Sequence, residues 1–323
     1  MTTTRRAALL AAPALLLGSR LARAQAWPTR PIRIVVPYTP GGVSAITARL
    51  IAEPMAAALG VAVPVENRPG ADGVIGTEVV ARAPADGHTL ALVSVGHPVN
   101  AAFYNLPYDT MRGFTFISLT TKTPLVLCAA RNFVASTPAA LVAHAKAHPP
   151  GHVTFAGTGG VVRLAPVLFA QQTGIEMTYV PYRGSTQAHP DLISGRVDIM
   201  FDTVPAALPH IRAGTLKALA TTGATRAPQL PDVPTLGESV AGFEASTWGM
   251  VMGPANLPAP VLDRLHREIT AAVTRPDVVA RHQQLGAEVV TSNPDETRSF
   301  VQAEMEKWGN AARAAGVRPQ NAG

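Results

Sequence analysis

Four glycine-bearing turns, each placed just after a short apolar run, are the residues of this chain best suited to chemistry, and that chemistry is anion capture. In the first, Ile32, Ile34, Val35 and Val36 form a β-branched run behind a proline. Tyr38-Thr39-Pro40-Gly41-Gly42 breaks it, and Ser44 opens a stretch with amphipathic helical spacing. Glycine lets backbone come close to a ligand, and the free N–H groups of a first helical turn, with the macrodipole behind them, favour a carboxylate or phosphate. A single Pro-Gly-Gly is a common connection between strand and helix. Repetition points further. Ser94-Val95-Gly96-His97, Gly157-Thr158-Gly159-Gly160 and Tyr182-Arg183-Gly184-Ser185 follow apolar runs in the same way, and strand ends are where open α/β sheets bind ligands. Asp202 closes a further run (residues 197–201), where it either accepts hydrogen bonds from a ligand or caps the next helix.

Covalent chemistry has little to work with. The sequence holds no G-x-S-x-G, no H-E-x-x-H, no lysine-bearing phosphate loop and no paired carboxylates in a glycine turn, and Ser185 lacks the strained elbow pattern. Gly70, Gly73 and Gly76 follow Gly-x-x-Gly-x-x-Gly spacing, which is not the dinucleotide fingerprint, and Asp72 reads as the cap of a helix beginning near Gly73. His144 and His148 have the i, i+4 spacing of a zinc pair. Pro149-Pro150 is expected to end that helix before His152 can join them, so neither a metal nor a cofactor is expected. Cys128 is the only cysteine, which excludes an intrachain disulfide, and its apolar surroundings (residues 125–130) make it a small core residue.

The elements that must carry these turns alternate. Strands are expected at residues 32–36, 63–67, 89–94, 125–130, 153–156, 177–182, 197–201, 216–221 and 248–252. Helices are expected at 44–59, 73–83, 138–147, after Gly160 through Leu164, Leu168 and Phe169, at 260–274, 276–285 and from Asn293 onward, where Asn293 caps and Pro294 takes the first position. With 323 residues and 47% hydrophobic content the chain can bury a large core, and its length suggests two domains. Residues 1–26 read as an export signal: Arg5-Arg6, an apolar stretch too short to span a bilayer, then small residues up to Ala26. The pair Arg5-Arg6 is compatible with a twin-arginine signal or with ordinary secretion, and both routes end in the periplasm or an equivalent compartment. Four of the 27 basic residues lie in that leader and no acid precedes Glu53, so the remainder carries 23 Lys+Arg against 21 Asp+Glu, about +2. Nucleic-acid binding thereby loses its support. No other segment is apolar enough for membrane insertion.

A family resemblance rests on Trp27-Pro28 through Pro31-Ile32, Val35-Val36-Pro37-Tyr38 with Pro40-Gly41-Gly42, Val65-Glu66-Asn67-Arg68-Pro69-Gly70, Gly76-Thr77-Glu78 and Asp86-Gly87-His88-Thr89-Leu90. It continues through Leu106-Pro107-Tyr108-Asp109, Val180-Pro181-Tyr182-Arg183-Gly184, Val197-Asp198-Ile199-Met200-Phe201-Asp202 and Leu230-Pro231-Asp232-Val233-Pro234-Thr235. Over essentially the whole mature chain the sequence resembles the Bug-type receptors, the periplasmic substrate-binding components of tripartite tricarboxylate transporters. The resemblance implies a type II periplasmic-binding-protein fold, two doubly wound α/β lobes joined by crossing strands, with lobe 1 at residues 27–125 and 251–323, lobe 2 at 126–250 and the ligand between them. By position, lobe 1 offers Tyr38, Thr39, Gly41, Gly42, Ser44, Ser94, Gly96 and His97. Lobe 2 offers Gly157, Thr158, Gly159, Gly160, Tyr182, Arg183, Gly184, Ser185 and Asp202. The implied function is capture of a small organic carboxylate by a monomeric receptor and delivery to membrane transporter subunits, without catalysis. The alternatives are presentation of the acid to a membrane sensor kinase and, further off, a periplasmic hydrolase on this fold.

Two departures from the family fall on these turns. Ala45 stands where relatives often have aspartate, and the segment from Gly160 to Leu164 is about two residues shorter, with Val161-Val162-Arg163 in place of a Ser/Thr-containing turn. Arg163 pointing inward would pair in bidentate fashion with a carboxylate; pointing outward it is a solvated first-turn arginine.

Overall fold

The computed structural model describes residues 27–158 and 160–321. The export signal expected at residues 1–26 and Gly159 of the third turn lie outside the described residues. The chain runs β1 (Arg33–Val36), α1 (Val43–Leu59), β2 (Val65–Asn67), α2 (Val74–Ala81), β3 (Thr89–Ser94), α3 (Gly96–Phe103), β4 (Tyr104–Asn105) and β5 (Phe114–Ala130). It continues with α4 (Pro138–Lys146), β6 (Val153–Gly157), α5 (Gly160–Thr173), β7 (Met177–Pro181), α6 (Ser185–Ser194), β8 (Ile199–Thr203), α7 (Val204–Arg212) and β9 (Leu216–Thr221). The last part is β10 (Ser246–Pro254), α8 (Ala259–Val273), α9 (Pro276–Gln284), β11 (Glu288–Val289), α10 (Pro294–Ala314) and β12 (Gln320–Asn321).

Strand direction decides where the glycine turns end up. β1 pairs in parallel with β2 and β3, β3 lies antiparallel to β10, and β10 lies antiparallel to the first part of β5. The second part of β5 is antiparallel to β8 and β9, while β6, β7 and β8 run parallel to one another. Two reversals make β1 and β3 run with β5; one reversal makes β6, β7 and β8 run against it. The carboxyl ends of the two sets of parallel strands therefore face each other. Register gives the gap: Ser94 lies opposite Gly249 and through it level with Thr121, whereas Thr203 lies opposite Leu125. Four residues of β5 separate those levels, which at about 3.3 Å per residue sets the facing strand ends roughly 13 Å apart.

Two α/β lobes are built around these half-sheets. In the first, Ile32, Ile34 and Val36 pack with Ile51 and Met55 of α1, Leu90 and Leu92 of β3, and Leu265 and Ile269 of α8, all fully buried. In the second, Leu127, Phe155, Phe169, Leu192 and Phe201 form a core continuous with the underside of the first through Met250, Met252 and Trp308. α10 returns the chain to the crossing strands. Its buried Glu304 accepts hydrogen bonds from the indoles of Trp248 on β10 (2.8 Å) and Trp308 (2.8 Å), and Lys307 completes the pairing. Asn293 caps α10 with its side chain on the Glu296 amide (2.9 Å), as its position before Pro294 predicts. Among the described residues no helix is long and apolar enough to cross a membrane.

Two expectations are corrected. β5 is 17 residues long, and the strand expected at residues 125–130 is only its final third. The earlier part carries Ser118, Thr120, Thr121 and Thr123, whose buried hydroxyls hide it from an apolarity criterion. Asp72 does not cap α2. It sits in a 3-10 turn with φ 52, its carboxylate accepts the Tyr104 hydroxyl (2.6 Å), and the position before α2 belongs to Gly73 at φ 97.

Candidate functional site

The turn after β1 leaves Thr39, Gly41 and Gly42 exposed and Ser44 half-buried. Gly41 adopts φ 97, a conformation that favours glycine, and α1 starts after Gly42 with no side-chain cap and no acid in its first turn. A Cβ on Gly41 or Gly42 would meet nothing within 4 Å, so open space lies over these amides. Tyr38 folds beneath the turn, and its hydroxyl accepts the Ser94 N–H (3.0 Å). Gly73 and Gly96 make room for its ring: a Cβ on them would sit 3.1 Å from Tyr38 Cε1 and 3.3 Å from its hydroxyl oxygen. Burial pushes the Tyr38 pKa up, keeping the phenol neutral. α3 begins at Gly96, again with no side-chain cap and no acid in its first turn. His97 turns into lobe 1, 2% exposed, with Nε2 3.1 Å from the Thr110 carbonyl and its ring against Tyr108, Phe114 and Phe116. Burial lowers its pKa to about 4.

Across the gap, β6 ends at Gly157, where a Cβ would stand 2.8 Å from the Tyr179 ring and 3.2 Å from Arg163 Cα. Thr158 is half-buried, and Gly160 at φ 52 opens α5 with free space beside it. Arg163 is half-buried, its guanidinium 4.8 Å from the ring centre of Tyr179 on β7 and 5.5 Å from that of Phe103 on α3 of the opposite lobe. It makes no ion pair among the described residues, and cation–π stacking on two rings fixes its position. Gly184 precedes α6, which has no side-chain cap and no acid in its first turn; a Cβ there would meet nothing within 4 Å. Arg183 is exposed. The Tyr182 hydroxyl donates to Asp191 (2.7 Å). Asp202 is fully buried: Oδ1 accepts the Ser185 hydroxyl (2.7 Å) and the Thr203 N–H (2.8 Å), and Oδ2 lies 2.8 Å from His189 Nε2.

Strand polarity thus gathers Tyr38, Thr39, Gly41, Gly42, Ser44, Ser94 and Gly96 on one side and Gly157, Thr158, Gly160, Arg163, Arg183, Gly184 and Ser185 on the other. His97 and the Tyr182 hydroxyl point into their own lobes, and Asp202 spends its oxygens on Ser185, His189 and Thr203 rather than capping α7. α1, α3 and α6 start without a side-chain cap, as do α2, α7, α8 and α9, whereas Thr137 and Asn293 cap α4 and α10; the first three start in the glycine turns at the facing strand ends. Sequence reasoning missed His189, Phe103 and Tyr179. His189 lies four residues beyond Ser185 on one helical face, a spacing that was available to read; the other two come together only through the fold. A separate cavity of about 700 Å³, bordered by Lys122, Pro124, Arg226, Gln283 and Val290, contains none of these residues.

Two lobes joined through crossing strands, with carboxyl ends turned toward each other, define the type II periplasmic binding proteins. A sequence profile described as "Tripartite tricarboxylate transporter family receptor" matches residues 47–317, and the chain belongs to that family. Protein BugT of Bordetella pertussis is 36% identical over 301 residues, covering 91% of this chain and 92% of BugT. The structure described as Rpa4515 of R. palustris with adipate superposes with TM-score 0.75 at 32% identity, covering 91% of this chain and all of that one. MatC of Rhodopseudomonas palustris with bound malate superposes with TM-score 0.69 at 30% identity, covering 88% of this chain and 99% of that one.

Proposed function

We propose that this receptor captures a small dicarboxylate in the gap between its lobes, closes on it by hinge motion about β5 and β10, and delivers it unchanged to membrane transporter subunits. The observation that carries the reading is the set of uncapped helix starts, α1, α3 and α6, at facing strand ends, with open space over Gly42 and Gly184. Free amides at the positive ends of helices suit an anion. Lobe 1 takes residues 27–125 and 251–323, and lobe 2 takes 126–250. One carboxylate rests on the amides after Gly42 and Gly184, with the hydroxyls of Ser44, Ser94 and Thr158 at its rim; Arg163 takes the second as a bidentate partner. Adipate and malate in the related structures are dicarboxylates, which agrees with a two-anion site. Ligand contacts made by both lobes favour the closed state, and the membrane partner reads that shape. The leader at residues 1–26 directs the chain to the periplasm, where it acts as a monomer.

The test is a thermal-shift screen of organic acids on the mature chain, followed by calorimetry. A linear dicarboxylate in the range from malate to adipate is expected to raise the melting temperature, and Arg163→Ala is expected to weaken it at least about tenfold, as loss of a charge-assisted pair implies. The acid should be recovered intact after incubation. A protein stabilised by no organic acid, or one that consumes the acid, defeats the reading.

A further inference from the structure

His144, His148 and His152 stand together at the far edge of lobe 2, away from the gap between the lobes. Each presents a ring nitrogen, and these atoms all lie within 4.8 Å of one another. The expectation that Pro149-Pro150 keeps His152 away is overturned by the turn those prolines make. His152 N–H donates to the Pro149 carbonyl (3.1 Å) and Gly151 adopts φ 78, so Pro150 and Gly151 occupy the middle of a reverse turn, as proline then glycine do in type II. The chain doubles back, and the His152 ring stacks on His148 at 4.3 Å between centres. His144 is 4.3 Å from His148 and 5.7 Å from His152.

The cluster is held from outside as well. Gly151 N–H donates to the Glu176 carbonyl (3.3 Å) and the Thr178 hydroxyl donates to the Gly151 carbonyl (2.7 Å), which ties the turn to the start of β7. Phe133 packs edge-on against His144, with ring centres 5.6 Å apart. The tautomer of one ring follows from geometry. His148 Nδ1 lies 2.8 Å from the His144 carbonyl oxygen, which can only accept, so Nδ1 carries the proton and Nε2 keeps its lone pair. Imidazoles oriented this way, by a backbone carbonyl on the other nitrogen, are the usual ligands of transition metals.

We infer that these three histidines form a binding site for a divalent transition cation of the zinc type, with an open fourth position for water. Three imidazole nitrogens around zinc stand about 3.4 Å apart at the usual bond length, so the observed spacing closes by small side-chain rotations. His148 and His152 are exposed and His144 half-buried, which leaves both access for the ion and freedom to adjust. Metal bound here would clip the end of α4 to the start of β6. β6 is five residues long and its other end, Gly157, faces the gap, so the site lies about 16 Å from that strand end.

The experiment titrates zinc into the mature chain, freed of any affinity tag, by calorimetry. One equivalent is expected to bind, with affinity at least about tenfold lower in His148→Ala and in His152→Ala, since each removes a ligand. His266→Ala, a histidine outside the cluster, should bind as the unaltered chain does. Cobalt(II) should give the visible bands of a four-coordinate centre in the unaltered chain and lose them in His148→Ala. If His144→Ala impairs folding through its contact with Phe133, the two exposed variants still decide the matter. Zinc binding no tighter in the unaltered chain than in the triple alanine variant overturns the inference, as does zinc displaced by the organic acid.

Discussion

Gly184 shows how a residue can matter by what it leaves empty. Its backbone is extended at φ −174 and ψ 161, which any residue adopts, and a Cβ added to it would meet no atom within 4 Å. Gly184→Ala should therefore leave stability within about 0.5 kcal/mol, as for a surface change. The added methyl takes up open space at the start of α6, so affinity for the organic acid should fall at least about tenfold if the amides there hold the anion. Paired melting and calorimetry measure both; unchanged affinity would remove α6 from the binding site. Gly41 and Gly73 differ in kind, because φ 97 at each asks for glycine whatever lies nearby. The glycine pattern was legible from sequence because glycine announces its position, but the roles of histidines were not. His97 and His189 take their environments from residues outside their own helices, such as Phe114 and Asp202, and His152 is placed by the turn at Pro150 and Gly151.

At the scale of elements, α10 is tied down by Glu304 between two indoles. Glu304→Ala leaves two buried N–H donors and Lys307 without their acceptor, which should cost about 3 kcal/mol in urea unfolding. Glu304→Gln keeps an acceptor and should recover about half of that. Equal stability of both variants with the unaltered chain would mean that α10 docks by apolar contact alone. Most helices and short buried strands were readable, because periodicity and Pro or Asn at helix starts are local signals. β5 was not, since its threonines are buried by β10 and β11, strands that come much later in the chain, and neither β4 nor β12 has a pattern at two residues.

For the whole molecule, the facing of the two strand sets was expected only through family resemblance. No local pattern encodes it; it follows from counting reversals across β10 and β5. Two domains were expected from chain length and the two-lobe plan from the resemblance, whereas the gap of roughly 13 Å needed the register.

That β5 and β10 are shared has a further consequence, for the order in which the chain acquires its structure. The strand partners of β6, β7, β8 and β9 all lie between Leu125 and Thr221, while β3, paired on one side with β1, waits on the other for β10, more than 150 residues further along. Contacts of long sequence separation form late because loop closure must precede their reward. Pulse-labelled amide exchange during refolding should protect Phe155 and Met200 before Leu92 and Val93. The reverse order would mean that the first half-sheet nucleates without β10.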